Sequence, residues 1–288
     1  MRILPAVLLG SLAVLAFSRP AHAAESYATC SKVIGVLPYA INAPGTYCLK
    51  SSLTTASTSA KAITIASDNV TIDCNDFKVS GTGGAASTAI GIYAINRANA
   101  RIRHCDISGF QYGIYLQTNT NVGGGHVVED NSLHGNFGTG IRVDGDGSVI
   151  RRNAVYQTGG STPAGVSYGI YSSNNVGISD NTVSGVAAVA GSNASVYGIY
   201  TRQNASGTID SNRVRGLAKD GTGKIYGINN VTSGRLTLRS NDVFGDGSVG
   251  SVGLTCTDAT GRAKDNIIDG FATGLKLCGD GGQNDVTP

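Results

Sequence analysis

One pattern recurs eight times along this chain: an apolar residue, two residues, Asn, one residue, an apolar residue, one residue and usually Gly. Its Asn positions are Asn75, Asn131, Asn153, Asn181, Asn212, Asn241 and Asn266, with Cys105 in the slot of the second copy. Successive copies lie 22 to 31 residues apart. A second pattern, Gly followed by Ile or Leu, runs in step with it at Gly91, Gly113, Gly140, Gly169, Gly198, Gly227, Gly253 and Gly274. Two motifs alternating at one mean period mark a single repeated structural unit, and a fold of stacked units follows.

Each unit consists of short segments of period 2 separated by Asn, Gly and Ser, which reads as strands and turns. The same residue type returns only after a whole unit, so the strands stack in parallel coils rather than pairing as hairpins. At about 4.8 Å per coil, eight coils make a stack about 40 Å long. Asn at one place per coil suits a turn with an unusual backbone conformation. Its amide can also bond the coils above and below, as side-chain ladders do in stacked sheets. These Asn residues are therefore read as architectural.

The Asn-slot units and the Gly-Ile strands resemble the right-handed parallel β-helix superfamily, the pectin-lyase-like fold, over about residues 62 to 280. The resemblance implies an all-β solenoid of about eight coils. Many members of that superfamily are secreted and act on acidic polysaccharides as lyases, hydrolases or epimerases; others are adhesins or tailspikes. The fold alone does not give the reaction. The paired-Asp, Gly-His-Gly and Arg-x-Lys motifs of polygalacturonases and the Arg-x-Pro-x-x-Arg pattern of pectate lyases are absent here. No family catalytic residue carries over.

Residues 1–23 read as a signal peptide: Arg2, an apolar run from Ile3 to Phe17, and a small-x-small cleavage site at Ala21-His22-Ala23. Residues 24–61 break the repeat and read as an N-terminal cap, leaving 62–288 as the repeat domain. No later stretch is apolar enough to span a membrane as a helix. The net charge of +3 falls to +1 once Arg2 and Arg19 leave with the leader, which argues against nucleic-acid binding. Six Cys in the mature chain point to three disulfides and a secreted or periplasmic location. Neighbouring coils bring together Cys30 with Cys48, Cys74 with Cys105, and Cys256 with Cys278.

Chemistry is sought on the outward face of the Gly-Ile strands. If the Ile points inward, the next residue points outward. That column reads Tyr93, Tyr115, Arg142, Tyr171, Tyr200, Asn229, Thr255 and Lys276; two residues on, Gln117, Asp144 and Arg202 face the same way. Tyr rings offer flat faces and hydroxyls to sugars. Arg binds carboxylates through two parallel hydrogen bonds. Abstraction of the α-proton of a uronate needs its carboxylate neutralised. Arg142 and Arg202 with Tyr171 and Tyr200 are thus the candidate catalytic groups, and Tyr93, Tyr115, Gln117 and Asp144 the candidate substrate contacts.

The expected partner is an acidic polysaccharide bound, and in one reading modified by lyase or epimerase chemistry. The alternative is a non-catalytic surface or adhesive repeat protein. Asp144-Gly-Asp146 resembles part of a calcium loop, although the full spacing is missing. A second Tyr column, Tyr112, Tyr168, Tyr197 and Tyr226, should by parity be internal or at a corner. His104, His126 and His134 fall in different slots of neighbouring coils. Charges at Asp73, Arg103, Glu129 and Arg151 read as a cross-strand ladder.

Overall fold

The computed structural model describes residues 30–118, 123–160, 166–203, 207–231 and 235–288. The signal-peptide reading of residues 1–23 lies outside them. The described chain has no helix and forms three parallel sheets. Sheet A has eleven strands, from Lys32–Ile34 to Gly279–Asp280. Sheet B has ten, from Tyr39–Ile41 to Thr273–Lys276, and sheet C ten, from Leu53–Thr55 to Asp285–Thr287. The eight Gly-Ile strands are consecutive in sheet B, preceded there by Lys61–Ile65 and Tyr39–Ile41. The chain visits the sheets in rotation, as the repeat required, giving a parallel β-helix. Residues 32–55, inside the segment read as a cap, supply strands to all three sheets. That segment is therefore hydrogen-bonded into the stack, and we propose that it closes the N-terminal end.

One apolar residue per strand points inward and stacks on its counterpart above and below. Ile114, Ile141, Ile170 and Ile199 do so in sheet B, and Ile150, Ile178 and Ile209 in sheet A, all fully buried. Like-on-like stacking fills the interior without voids, which is why every coil needs a β-branched or Leu residue at the same place. The Gly of the Gly-Ile pair has a steric cause. A Cβ on Gly198 would overlap the Val214 side chain and sit 2.6 Å from the Gly227 carbonyl oxygen. Gly198→Ala should therefore cost about 1–3 kcal/mol by overpacking. Gly177→Ala, whose Cβ would meet nothing nearer than 4.0 Å, should be close to neutral in the same urea titration.

The Asn slot forms a buried ladder. The backbone N–H and the Nδ2 of Asn153 both donate to Asn181 Oδ1 at 3.0 Å, and Asn181 does the same to Asn212. Each Nδ2 also donates to a carbonyl one coil back, as Asn181 does to Ile150 at 2.9 Å. The ladder runs from the Cys105 N–H, which donates to Asn131, through Asn266 to Asn284.

Two expectations are corrected here. Asn75 itself is left-handed, with φ of 49°, but in the other seven copies the left-handed residue is the one before the slot: His104, Asp130, Arg152, Asp180, Ser211, Ser240 and Asp265 have φ of 50° to 56°. The Asn is needed for its amide. Asn75 stands outside the ladder, because four residues separate Asp73 from Lys78 where two separate Arg103 from Asp106. Its Nδ2 donates instead to the Leu49 carbonyl at 3.0 Å.

The three disulfides join the expected pairs, with Cα separations of 5.8 Å for Cys30–Cys48, 4.7 Å for Cys74–Cys105 and 4.8 Å for Cys256–Cys278. These are adjacent-coil distances. Three disulfides fit an oxidising, extracellular compartment. Among the described residues no helix is long and apolar enough to cross a membrane. The charge ladder is present on sheet A: Arg103 pairs with Asp73 at 2.9 Å and Arg151 with Glu129 at 2.7 Å.

Candidate ligand-binding face

Sheet B holds its outward column in register: Tyr93 beside Tyr115, Tyr115 beside Arg142, Arg142 beside Tyr171, and Tyr171 beside Tyr200, followed by Asn229, Thr255 and Lys276. The second Tyr column is not internal. Gly169 and Ile170 both turn inward, which breaks the alternation and leaves Tyr168 half-buried beside Tyr171. Tyr112, Tyr197 and Tyr226 are half-buried likewise.

Eight of the chain's twelve Tyr thus share this face. Tyr168 stacks on Tyr197 at 5.1 Å, and Tyr197 on Tyr226 at 4.9 Å with planes 3° apart. Tyr171 and Tyr200 lie 5.2 Å apart, Tyr93 and Tyr115 5.7 Å. The cross-strand contacts follow from the coil spacing, which sets rings on neighbouring strands near stacking distance.

Arg142 occupies the rung where the first column lacks a Tyr. Its guanidinium lies 4.6 Å from the Tyr115 ring centre and 4.5 Å from that of Tyr171. The planar cation thereby bridges the two groups of rings. Nε and Nη2 both donate to Asp144 Oδ2, at 3.1 and 2.9 Å. The other oxygen of Asp144 accepts from Ser173 Oγ at 2.7 Å. Burial disfavours the charge on Arg142, but Asp144 and the Tyr115 hydroxyl outweigh it and raise its pKa above the ordinary value.

Arg202 differs. It is exposed, and Nη1 donates to the Tyr171 hydroxyl at 3.3 Å. Gln117 accepts from the Tyr115 hydroxyl at 2.9 Å. Lys61, which lies in a strand without the Gly-Ile signature, sits over the Tyr93 ring at 5.2 Å. Only its place in the strand before Tyr93 could have marked it.

Burial pushes the Tyr115 and Tyr197 phenols up to about 12 and raises those of Tyr168 and Tyr200. At neutral pH these four groups stay protonated, so they offer hydrogen bonds and flat faces rather than a base.

The suggested calcium ligands are otherwise engaged. Asp144 is held by Arg142 and Ser173, and Asp146 accepts the Asn175 N–H at 3.2 Å. Among the described residues no three His, Cys, Asp or Glu gather where a metal could bind. Two cavities, of about 580 and 360 Å³, open away from the Tyr face. The larger lies where sheet A turns into sheet C, between His104, Asp106, Asp130 and Arg152. Arg152 and Asp130 there are paired to each other at 2.8 Å. His134 and Asp106, at the same turn, contact each other at 3.0 Å.

The chain belongs to the right-handed β-helix region family, whose profile matches residues 43–193 and 90–288. No curated protein sequence matches it. Among solved structures, the A-module of the Azotobacter vinelandii mannuronan C-5 epimerase AlgE6 is similar, with a TM-score of 0.50, 13% identity and 91% of each chain covered. The A-module of AlgE4 from the same organism gives 0.48 at 14% identity, covering 86% of this chain and 80% of that one. At such identity the likeness speaks for the fold.

Proposed function

We propose that the protein binds a linear acidic polysaccharide along the Tyr face of sheet B. The observation that carries this is the ring ladder itself: eight Tyr and one stacked Arg on a single face at the coil spacing of about 4.8 Å, seven of the Tyr part-exposed and Tyr171 buried among them. Two coils span about 10 Å, close to two sugar units of an extended chain, so consecutive sugars can lie on consecutive rungs. Tyr93, Tyr115, Gln117 and Asp144 belong to the N-terminal part of this platform, Tyr171, Tyr200 and Arg202 to the C-terminal part.

Binding is better supported than turnover. Lyase or epimerase chemistry by Arg142, Tyr171, Tyr200 and Arg202 requires a base near the sugar. The raised phenol of Tyr200 holds its proton at neutral pH, and the cation of Arg142 is already matched by Asp144.

The chain has no Trp and eight of its twelve Tyr share this face, so Tyr emission reports mainly on it. Titration with oligouronates should change that emission. Tyr200→Ala and Tyr168→Ala should each weaken binding by about 1 kcal/mol, the scale of one aromatic stacking contact. If no oligosaccharide alters the emission, or if both variants bind like the parent, the rings serve only to pack the sheet. Unsaturated product absorbing in the ultraviolet would show that the face also carries lyase chemistry.

A further inference from the structure

We infer that Arg202, and not Arg142, reads negative charge on a chain bound to the Tyr face. This rests on the binding reading above and adds which residue separates an acidic chain from a neutral one.

The two Arg side chains look equivalent in the sequence and differ in their surroundings. Arg142 gives two of its donors to one oxygen of Asp144 and is pressed between two rings. Its side chain is 24% exposed, that of Asp144 6%. Drawing Arg142 onto a sugar carboxylate would leave the Asp144 charge buried without its cation, which is strongly unfavourable. The pair is neutral as a unit, and its service to a ligand is a flat surface.

Arg202 lies two strands further along sheet B, its Cα paired with that of Ser173. Its contact in the fold is the neutral Tyr171 hydroxyl, and no ion pair engages it among the described residues. That contact steadies the guanidinium at the edge of the Tyr171 and Tyr200 rings while leaving most of its donors outward. An uncompensated Arg fork at the rim of an aromatic platform suits two oxygens of a carboxylate or a sulfate ester. The other cations of the face stand at its ends. Lys61 is five strands away and Lys276 three, about 24 and 14 Å at the coil spacing. A charge on a sugar lying over the Tyr171 and Tyr200 rings therefore meets Arg202 first, while Lys224, exposed two residues before Tyr226, stands at the opposite end of these strands.

The test compares three oligosaccharides of equal length: a neutral one, a uronate and a sulfated one. They are titrated against the parent, Arg202→Gln and Arg142→Gln, each variant first shown by circular dichroism to be folded. The parent should bind at least one acidic oligomer more than tenfold tighter than the neutral one, the scale of a charge-assisted hydrogen bond. Arg202→Gln should bring that ratio down to about one, by weakening the acidic oligomer far more than the neutral one. Arg142→Gln should keep the ratio even where it weakens all binding by disturbing the rings. Whichever acidic oligomer loses its advantage identifies carboxylate or sulfate as the group read. The inference is overturned if the parent binds neutral and acidic oligomers alike, if Arg202→Gln keeps the ratio, or if Arg142→Gln removes it. In the last two cases the face still binds an acidic chain and only the assignment to Arg202 falls; equal binding of neutral and acidic oligomers also removes the acidic preference from the underlying reading, and the absence of all binding removes that reading whole.

Discussion

Asn181→Leu should destabilise the protein by roughly 3–5 kcal/mol, seen as a lower urea midpoint with little change in slope. Asn181 Oδ1 accepts from both the backbone N–H and the Nδ2 of Asn153, and its own Nδ2 donates to Ile150, Ser179 and Asn212. Leu keeps the volume and removes every one of these. The Asn153 N–H is then orphaned in a dry interior, at about 1–3 kcal/mol, and the Ile150 and Ser179 carbonyls, the Asn153 amide and Asn212 Oδ1 each lose one partner. Asn75→Leu is the matched control. Its half-buried side chain gives up a single bond, to Leu49, and its left-handed φ of 49° suits Asn better than Leu, so about 2 kcal/mol is expected. Equal losses at the two sites would mean that the ladder contributes no more than an ordinary turn amide.

The ladder also shows what a repeat makes legible. The eight repeat coils, their parallel stacking and the two disulfides within the repeat follow from period, because any solenoid that places Cys74 and Cys105 on adjacent coils at nearly equal register brings them within bonding reach. What escaped depends on atoms rather than period. Asn284 completes the ladder and has Val286 at the downstream apolar place, but Gly281 stands where the upstream apolar residue belongs. The left-handed turn position fell to the residue before each Asn of the ladder, because the amide is required inside while the turn accepts Asp, Arg, Ser or His outside.

On sheet B, reading the residue after Ile as outward succeeded because that Ile is always buried. Applying the same alternation backward through Gly failed, since Gly and Ile both turn inward, so of the two places open to the second Tyr column the internal one is excluded and the rings stand half-buried at the start of the strands. The pairing of Arg142 with Asp144 was within reach, as residues two apart on a strand share a face. What could not be read was that this pairing occupies Arg142 and leaves Arg202 as the cation free of a carboxylate partner among the described residues of the central face. That distinction depends on side-chain placement.

The charge in the interior was equally hidden. His126 sits among apolar residues with no exposed surface. Its Nδ1 accepts the Ala100 N–H at 3.2 Å, which fixes the proton on Nε2, where no partner reaches it. Burial lowers its pKa to about 4, against a slight opposing pull from Asp68. The unfolded chain titrates this group near 6.5. Between those values the unfolded state binds a proton that the folded state refuses, so stability present above pH 6.5 is lost as pH falls toward 4. The loss should be about 2 kcal/mol by pH 5 and about 3 kcal/mol when complete, at roughly 1.4 kcal/mol for each unit between the two pKa values. The paired carboxylates Glu129 and Asp130, whose pKa values are lowered, add their own loss only below their ordinary range. Urea titrations at pH 7 and pH 5 therefore isolate the histidine. His126→Asn keeps an acceptor for the Ala100 N–H and cannot be protonated. The variant should lose most of the difference between the two pH values, whatever its stability at pH 7. A parent equally stable at both, or a variant that keeps the full difference, would show that His126 accepts its proton in the folded coil.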